Sequence, residues 1–311
     1  MQDPAELDSE NGLISIGLSC LALDSLDPTV SDLNPLDPSL DPSLGGGSYV
    51  GVNSCGIVAN GMPPSLLDIN GLRPNSLVDD HFKKWFASDP KTANTLMKYL
   101  VKCSLPANLG MTFDYGGISY FWPGELGLAP HWADGESIPE DEQQLVSACL
   151  AAHSNRYGAH VPISVLGQYA DGSEIPYSDD ELSSFPITEG CFFGNAFRKD
   201  GLFSASDRPM DLTPDESSLR ACAMPDRTGS GASSMCAPIR YAGNCRDLCQ
   251  PDPNNLYYLT CTVNGKTYRA LSTRIRPNVE YTCGDGICQV TESCGTGSAF
   301  NNCSLDCGPC N

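Results

Sequence analysis

From Cys283 to the end at Asn311 the chain carries six cysteines, in the run Cys283-Gly284-Asp285-Gly286-Ile287-Cys288 … Glu292 … Cys294 … Cys303 … Asp306-Cys307 … Cys310. So many cysteines in so short a piece cannot build an ordinary apolar core, but they can staple a small module. That requirement reaches beyond the tail, because disulfides persist only in an oxidising compartment. Ten more cysteines lie upstream: Cys20, Cys55, Cys103, Cys149, Cys191, Cys222, Cys236, Cys245, Cys249 and Cys261. An even total of 16, spread without a CxxC…CxxC pair, favours disulfides throughout. A cytosolic zinc protein is the competing class. Connectivity stays open, since six cysteines alone allow fifteen pairings.

The tail also offers hard oxygen ligands. From Asp285 onward, Asp-Gly-Ile-Cys-Gln-Val-Thr-Glu follows positions 5 to 12 of a calcium-binding EF-hand loop. Gly286 takes the turn, Ile287 supplies a carbonyl and Glu292 falls where the bidentate carboxylate belongs. Positions 1 and 3 are Tyr281 and Cys283, which supply no carboxylate. Asp306, brought back by disulfides, is the expected replacement, with Asn301 and Asn302 behind it. The alternative is a plain Asp-Gly turn with Glu292 in solvent. Both stand.

At 311 residues the chain can hold one substantial domain with appendages, and 41% hydrophobic content suffices for a core. A net charge of −20 excludes a basic footprint for nucleic acid. Residues 1–72 carry ten of the acids and no Lys or Arg. Met1-Gln2-Asp3-Pro4 lacks the basic and apolar regions of an export signal, so a signal removed upstream is expected, with any native lipidation site there too. Gly17-Leu18-Ser19-Cys20 faintly resembles a lipoprotein cleavage site, but acids precede it. No stretch approaches the roughly 20 apolar residues of a membrane span.

Three segments follow: an acidic Pro/Gly-rich linker over 1–48, an α+β disulfide-rich domain over 49–280 and the six-Cys module over 281–311. In the linker Leu-Asp-Pro recurs at 26–28, 36–38 and 40–42, and proline and glycine leave little to order. Cys20 is expected to tether it through Cys55. Within the domain, Val78, Phe82, Trp85 and Phe86 share one helical face. A second helix starts at Asp89-Pro90 with the stripe Ala93, Leu96, Met97, Leu100 and Cys103. A third, opened by a Ser137/Glu140 capping box, carries Leu145, Val146, Cys149, Leu150 and Ala152 to a stop at Gly158, and reads as the central buried helix. Gly116-Gly117 predicts a hairpin over Met111–Trp122 that pairs Met111 with Trp122, Phe113 with Tyr120 and Tyr115 with Ile118. Asn264-Gly265 predicts another over Tyr257–Leu271, pairing Cys261 with Tyr268 and Leu259 with Ala270. Val161–Leu166 and Cys191–Phe197 are shorter strand candidates. The sum is a small helix cluster with antiparallel hairpins.

Catalytic signatures are absent: no GxSxG, HExxH, GxxxxGK[ST] or GxGxxG. The four histidines are His81, His131, His153 and His160, and a metal site from His81, His153 and His160 competes with ordinary packing. Cys55 could be a nucleophile but is expected in a disulfide. Asp114 and Glu125 form a nominal glycosidase pair beside Tyr115, Tyr120, Trp122 and Trp132, whose alternation suits a buried sheet face better than sugar stacking. Glu189 through Asn195 is an apolar run that fits tight packing around a disulfide.

At these residues the tail resembles the CGDGxCxxxExC…C…DCGxC modules that end many secreted proteins of predatory soil bacteria. With Leu126–Pro130, Val146–His153 and Cys191–Asn195, the span 70–311 is similar to an uncharacterised secreted, Cys-rich family of the same myxobacterial type. The resemblance implies export and a bacterial source, and transfers no catalytic residue. The expectation is a secreted or envelope-tethered disulfide-rich structural or binding protein for an extracellular or envelope ligand, with calcium as its one candidate ion. A secreted hydrolase of envelope polymers or peptides is the alternative.

Overall fold

The computed structural model describes residues 72, 77–154, 162–198, 200–207, 239–276, 283–284, 288, 294–299 and 302–310. The expected linker, Cys20, Cys55, Cys222, Cys236, His160, Gly158, Asp285, Ile287 and Glu292 lie outside them.

The N-terminal part is helical. Helix α1 (Asp80–Ser88) and helix α2 (Pro90–Ser104) meet at Pro90, whose missing N–H costs nothing at a first helical position. Strands β1 (Gly110–Tyr115) and β2 (Ile118–Pro123) form the expected hairpin in the expected register, with Met111 opposite Trp122, Phe113 opposite Tyr120 and Tyr115 opposite Ile118. Gly116 and Gly117 take φ of 61° and 82°, the left-handed pair that a two-residue turn matched to strand twist demands. One hairpin face packs on α1: Phe113 and Tyr120 lie 4.9 and 5.0 Å from Phe86. Trp122 is buried and donates from Nε1 to Asn94 Oδ1 of α2 at 2.7 Å.

After the short helix α3 (Pro130–Ala133), helix α4 (Glu140–His153) runs through the core and is buried from Glu142 to His153. It is the central helix, but its ends differ from expectation. The N-cap is Pro139, with no side-chain cap, and three acids in the first turn complement the helix dipole where a Ser137/Glu140 box was expected. The helix stops at His153, where Ser154 turns extended and its hydroxyl donates back to the Leu150 carbonyl at 2.8 Å.

The α+β class is observed, yet a curled sheet dominates the body where a helix cluster with hairpins was expected. Its strands are β3 (Ser164–Gly167), β4 (Ile187–Asn195), β5 (Gly201–Ser206), β6 (Ile239–Asn244), β7 (Cys249–Pro251), β8 (Tyr258–Val263) and β9 (Lys266–Ile275), in the order β6-β5-β4-β9-β8-β7 with β3 also on β9. All pairs are antiparallel except β5 with β6. Helix α5 (Asp179–Ser184) precedes β4, and helix α6 (Cys245–Leu248) joins β6 to β7. The Asn264-Gly265 hairpin is present with Cys261 opposite Tyr268; its paired rungs run from Thr260/Arg269 to Val263/Lys266.

The sheet buries both faces. Phe192, Leu202, Ile239 and Leu271 join the core shared with α1, α2, α4 and the hairpin. Cys191, Phe193, Phe203, Tyr268 and Ala270 point into a second core with Cys245 and Cys261. Where β4 meets β5, a Cβ on Gly194 (φ 126°) would stand 2.3 Å from the Gly201 carbonyl oxygen, so only glycine fits.

Six disulfides join described residues. Cys103–Cys149 clasps α2 to α4, while Cys191–Cys245 and Cys249–Cys261 lie in the second core. In the tail Cys283–Cys303, Cys288–Cys307 and Cys294–Cys310 pair first with fourth, second with fifth and third with sixth. Strands β10 (Ser298–Ala299) and β11 (Asn302–Cys303) and helix α7 (Ser304–Cys307) complete it. No helix among the described residues is long and apolar enough to cross a membrane.

Candidate functional site

The N-terminal end of α4 gathers the polar side chains with the most chemical potential. Helix α2 ends with carbonyls that have no helical partner. The segment Gly124–Ala129 supplies the donors: Leu126 N–H bonds to Lys102 O at 2.9 Å, Leu128 to Cys103 O at 3.0 Å and Ala129 to Ser104 O at 3.2 Å. Gly124 passes so close that a Cβ would meet Pro106 O at 2.5 Å. This lashing delivers the chain to Pro130 and fixes α3 against α4.

His131 in α3 then faces Glu142 of α4. Its Nδ1 lies 2.5 Å from Glu142 Oε1, and its backbone N–H donates to the same oxygen at 3.3 Å. The Glu142 side chain is fully buried while that of His131 is 57% exposed. An ionised Glu142 only accepts, so Nδ1 carries the proton and Nε2 is left as the basic nitrogen of the neutral ring. The hydrogen bond and then the charge of Glu142 raise the His131 pKa above its ordinary value, with smaller help from Glu136 and Asp134. The second oxygen, Glu142 Oε2, is buried without a hydrogen-bond partner among the described residues.

Around this pair the polar groups are tied to one another. Gln143 Oε1 accepts from Asn195 Nδ2 at 3.1 Å and from Arg198 Nε at 3.3 Å, and Ser147 Oγ accepts from Ala196 N–H at 3.0 Å. Lys266 Nζ reaches Asp200 at 2.5 Å and Glu140 at 3.5 Å. Trp132 beside His131 meets Phe197 edge-on at 5.7 Å. The arrangement can orient an imidazole and hold a proton on it. Among the described residues no hydroxyl or thiol is placed against Nε2.

The residues singled out in the sequence fare differently. Asp114 sits opposite Ser119, and Glu125 lies beyond Pro123 at the other end of the hairpin. At about 3.4 Å per residue the stretch from Ser119 to Pro123 alone is roughly 14 Å, too far for a glycosidase pair. Glu125 instead bridges Lys102 at 3.1 Å. Trp122 and Trp132 are core, as their alternation suggested, and the exposed aromatic of the hairpin is Phe121. His153 is buried against Tyr99, ring centroids 5.1 Å apart. It lies near Cys103 and Cys149, but those sulfurs are bonded to each other and offer no thiolate to a metal. His81 is the second residue of α1. In the tail the Asp306 carboxylate accepts from Gly284 N–H, which ties the two ends of the module together. Glu189, buried in β4, accepts from Thr273 Oγ1 at 2.7 Å.

His131 had no role in the sequence reading. The available signal was Glu142, which falls on the helical stripe of Leu145, Val146 and Cys149: an acid in an otherwise apolar row needs a partner. The chain has no significant match among protein-family models, curated proteins or solved structures.

Proposed function

We propose that the chain is an exported, disulfide-held binding or structural protein of the extracellular space or outer cell surface, engaging an extracellular or envelope ligand. The observation that carries this is the set of six disulfides, three through the body and three interleaved in the tail. Cross-links of this density serve a chain that must persist without chaperones in an oxidising medium. The polar groups around α4 are also bonded to each other, as a scaffold requires. Two measurements test it on protein recovered from its native source. Alkylation before and after reduction should find the twelve cysteines of these pairs protected, and the protein should sediment with purified envelope polymers. Free thiols at most of these positions would sink the proposal.

In the tail, calcium is the proposed ligand of Asp285, Ile287, Glu292 and Asp306. The Asp306–Gly284 bond supports it by holding Asp306 beside the residue before Asp285. Calorimetry on the intact oxidised chain should give a dissociation constant of about 10⁻⁴ to 10⁻³ M, largely lost in Glu292→Gln. Equal heats in the two proteins would leave a disulfide-held turn.

A second reading, a secreted hydrolase of envelope polymers or peptides, is favoured by one observation. The buried Glu142 orients His131 as a general base would be oriented, with the imidazole side chain more than half exposed. Turnover of peptidoglycan, polysaccharide or peptide substrates that His131→Gln abolishes without unfolding the protein would install it as the function.

A further inference from the structure

Two disulfides meet in the second core. Cys191–Cys245 ties β4 to the first residue of α6, and Cys249–Cys261 ties β7 to β8, where the two cysteines are directly opposite. Between the bonds, Cys191 Sγ is 3.3 Å from Cys249 Sγ and 3.8 Å from Cys261 Sγ. Cys191, Cys245 and Cys261 are fully buried, and Cys249 is half-buried. Cys249 is therefore the one residue of the four with exposed surface, and both members of its pair lie against a sulfur of the neighbouring bond.

Thiol–disulfide exchange needs a thiolate, a disulfide sulfur within its reach and a leaving sulfur whose departure is supported. Reach is met by the contacts of Cys191, and the thiolate is supplied once the Cys249–Cys261 bond is opened. The third is met by Cys245, whose Sγ lies 3.2 Å from the Ala205 carbonyl oxygen, an acceptor for the S–H that forms when the sulfur is released.

We propose that Cys191, Cys245, Cys249 and Cys261 form a thiol–disulfide exchange site whose co-reactant is an external dithiol. The dithiol attacks the sulfur of half-buried Cys249, expels Cys261 and closes on itself as a disulfide, releasing Cys249. Cys249 thiolate then attacks Cys191 Sγ. The Cys191–Cys249 bond forms, the Cys191–Cys245 bond breaks, and Cys245 leaves with the electron pair and takes up a proton. In sum the dithiol loses two electrons and two protons, and these end on Cys245 and Cys261. The cross-link of β4 moves from α6 to β7, and the short α6 loses its tether. Reducing equivalents entering at the surface thus emerge in the buried core, where Cys245 is shielded from reoxidation.

The site is independent of any ligand the protein binds, and its test reads bonds directly. The native full chain is treated briefly with excess dithiol, quenched with an alkylating reagent, digested without reduction and mapped by mass spectrometry. Label should appear on Cys245 and Cys261, together with a Cys191–Cys249 linked peptide, while Cys103–Cys149 stays intact. Label on Cys249 and Cys261 with Cys191–Cys245 retained overturns the proposal, as does the absence of label at all four positions. A second arm needs no reductant: in Cys261→Ser the Cys249 thiol has no partner of its own. The linked peptide should again be Cys191–Cys249, with Cys245 alkylated. Alkylation of Cys249 beside an intact Cys191–Cys245 bond refutes the exchange.

Discussion

Replacing both Cys103 and Cys149 with alanine removes the one disulfide joining α2 to α4 and keeps the apolar character of the site. The bond closes a loop with a sequence separation of 46. In the chain-entropy account, a loop of that length restricts the unfolded chain by about 14 cal/mol/K, which is about 4 kcal/mol at 25 °C. Both sulfurs are fully buried, so each leaves an atom-sized void in a packed core, worth roughly 1 kcal/mol apiece. A body of this size shifts by about 2–4 °C in Tm per kcal/mol, so the double variant should melt roughly 12–24 °C lower. The assay is calorimetry on the oxidised proteins, with the other disulfides verified by mass mapping. The same scans in reductant should narrow the gap to the void contribution alone, about 4–8 °C. A shift under about 4 °C in the oxidised state would assign the helix pairing to packing alone.

Histidine NMR should place the His131 pKa above its ordinary value, and Glu142→Gln should return it toward that value. Because the folded pKa is raised, the stabilisation is fully present below the unfolded value near 6.5 and is lost as pH rises through the folded one, so wild type should lose its margin over Glu142→Gln across neutral pH. Gly194→Ala should lower stability by more than about 1 kcal/mol, since φ is 126° and the added Cβ meets Gly201 O; an unchanged Tm would contradict the geometry. Trp122→Phe should cost about 1–3 kcal/mol in chemical denaturation through the lost bond to Asn94, and Phe121→Ser on the exposed face should cost almost nothing.

Local chemistry was legible in the sequence, and long-range pairing was not. The Gly116-Gly117 and Asn264-Gly265 turns fix loop length and hence register, which is why Phe113/Tyr120 and Cys261/Tyr268 could be named from spacing. The centre of the sheet gave no such signal. Strand β4 is buried on both faces, so Cys191-Phe192-Phe193 shows no alternation, and its partner β9 lies some 80 residues away in the chain. Strand β6 pairs in parallel with β5 from a distant segment, a contact that no periodicity announces. Pro139 displaced the capping box because its extended backbone begins α4 directly and leaves the acids to complement the dipole. Cysteine count pointed to disulfides, while their partners depended on which strands the sheet brings together.

The clasp between the helices and the histidine pair share one physical frame. Cys103 is bonded through its sulfur to Cys149 and through its carbonyl to Leu128 N–H, in the segment that leads directly into Pro130 and His131. Cys149 in turn lies two turns beyond Glu142 on the same buried stripe of α4. Glu142, α4, the disulfide, the end of α2 and the Gly124–Ala129 lashing therefore form a ring that closes through the hydrogen bond at His131. Loosening the ring at the disulfide lets α3 move relative to α4, and a charge-assisted bond of this kind weakens steeply with distance and angle. The alanine pair at 103 and 149 should accordingly bring the His131 pKa back toward its ordinary value, although neither position touches the imidazole. Trp122→Phe, which acts on the other side of α2, should leave it where it was. An unmoved His131 titration in the double variant would show that α3 is held by its own contacts, such as Trp132 on Phe197.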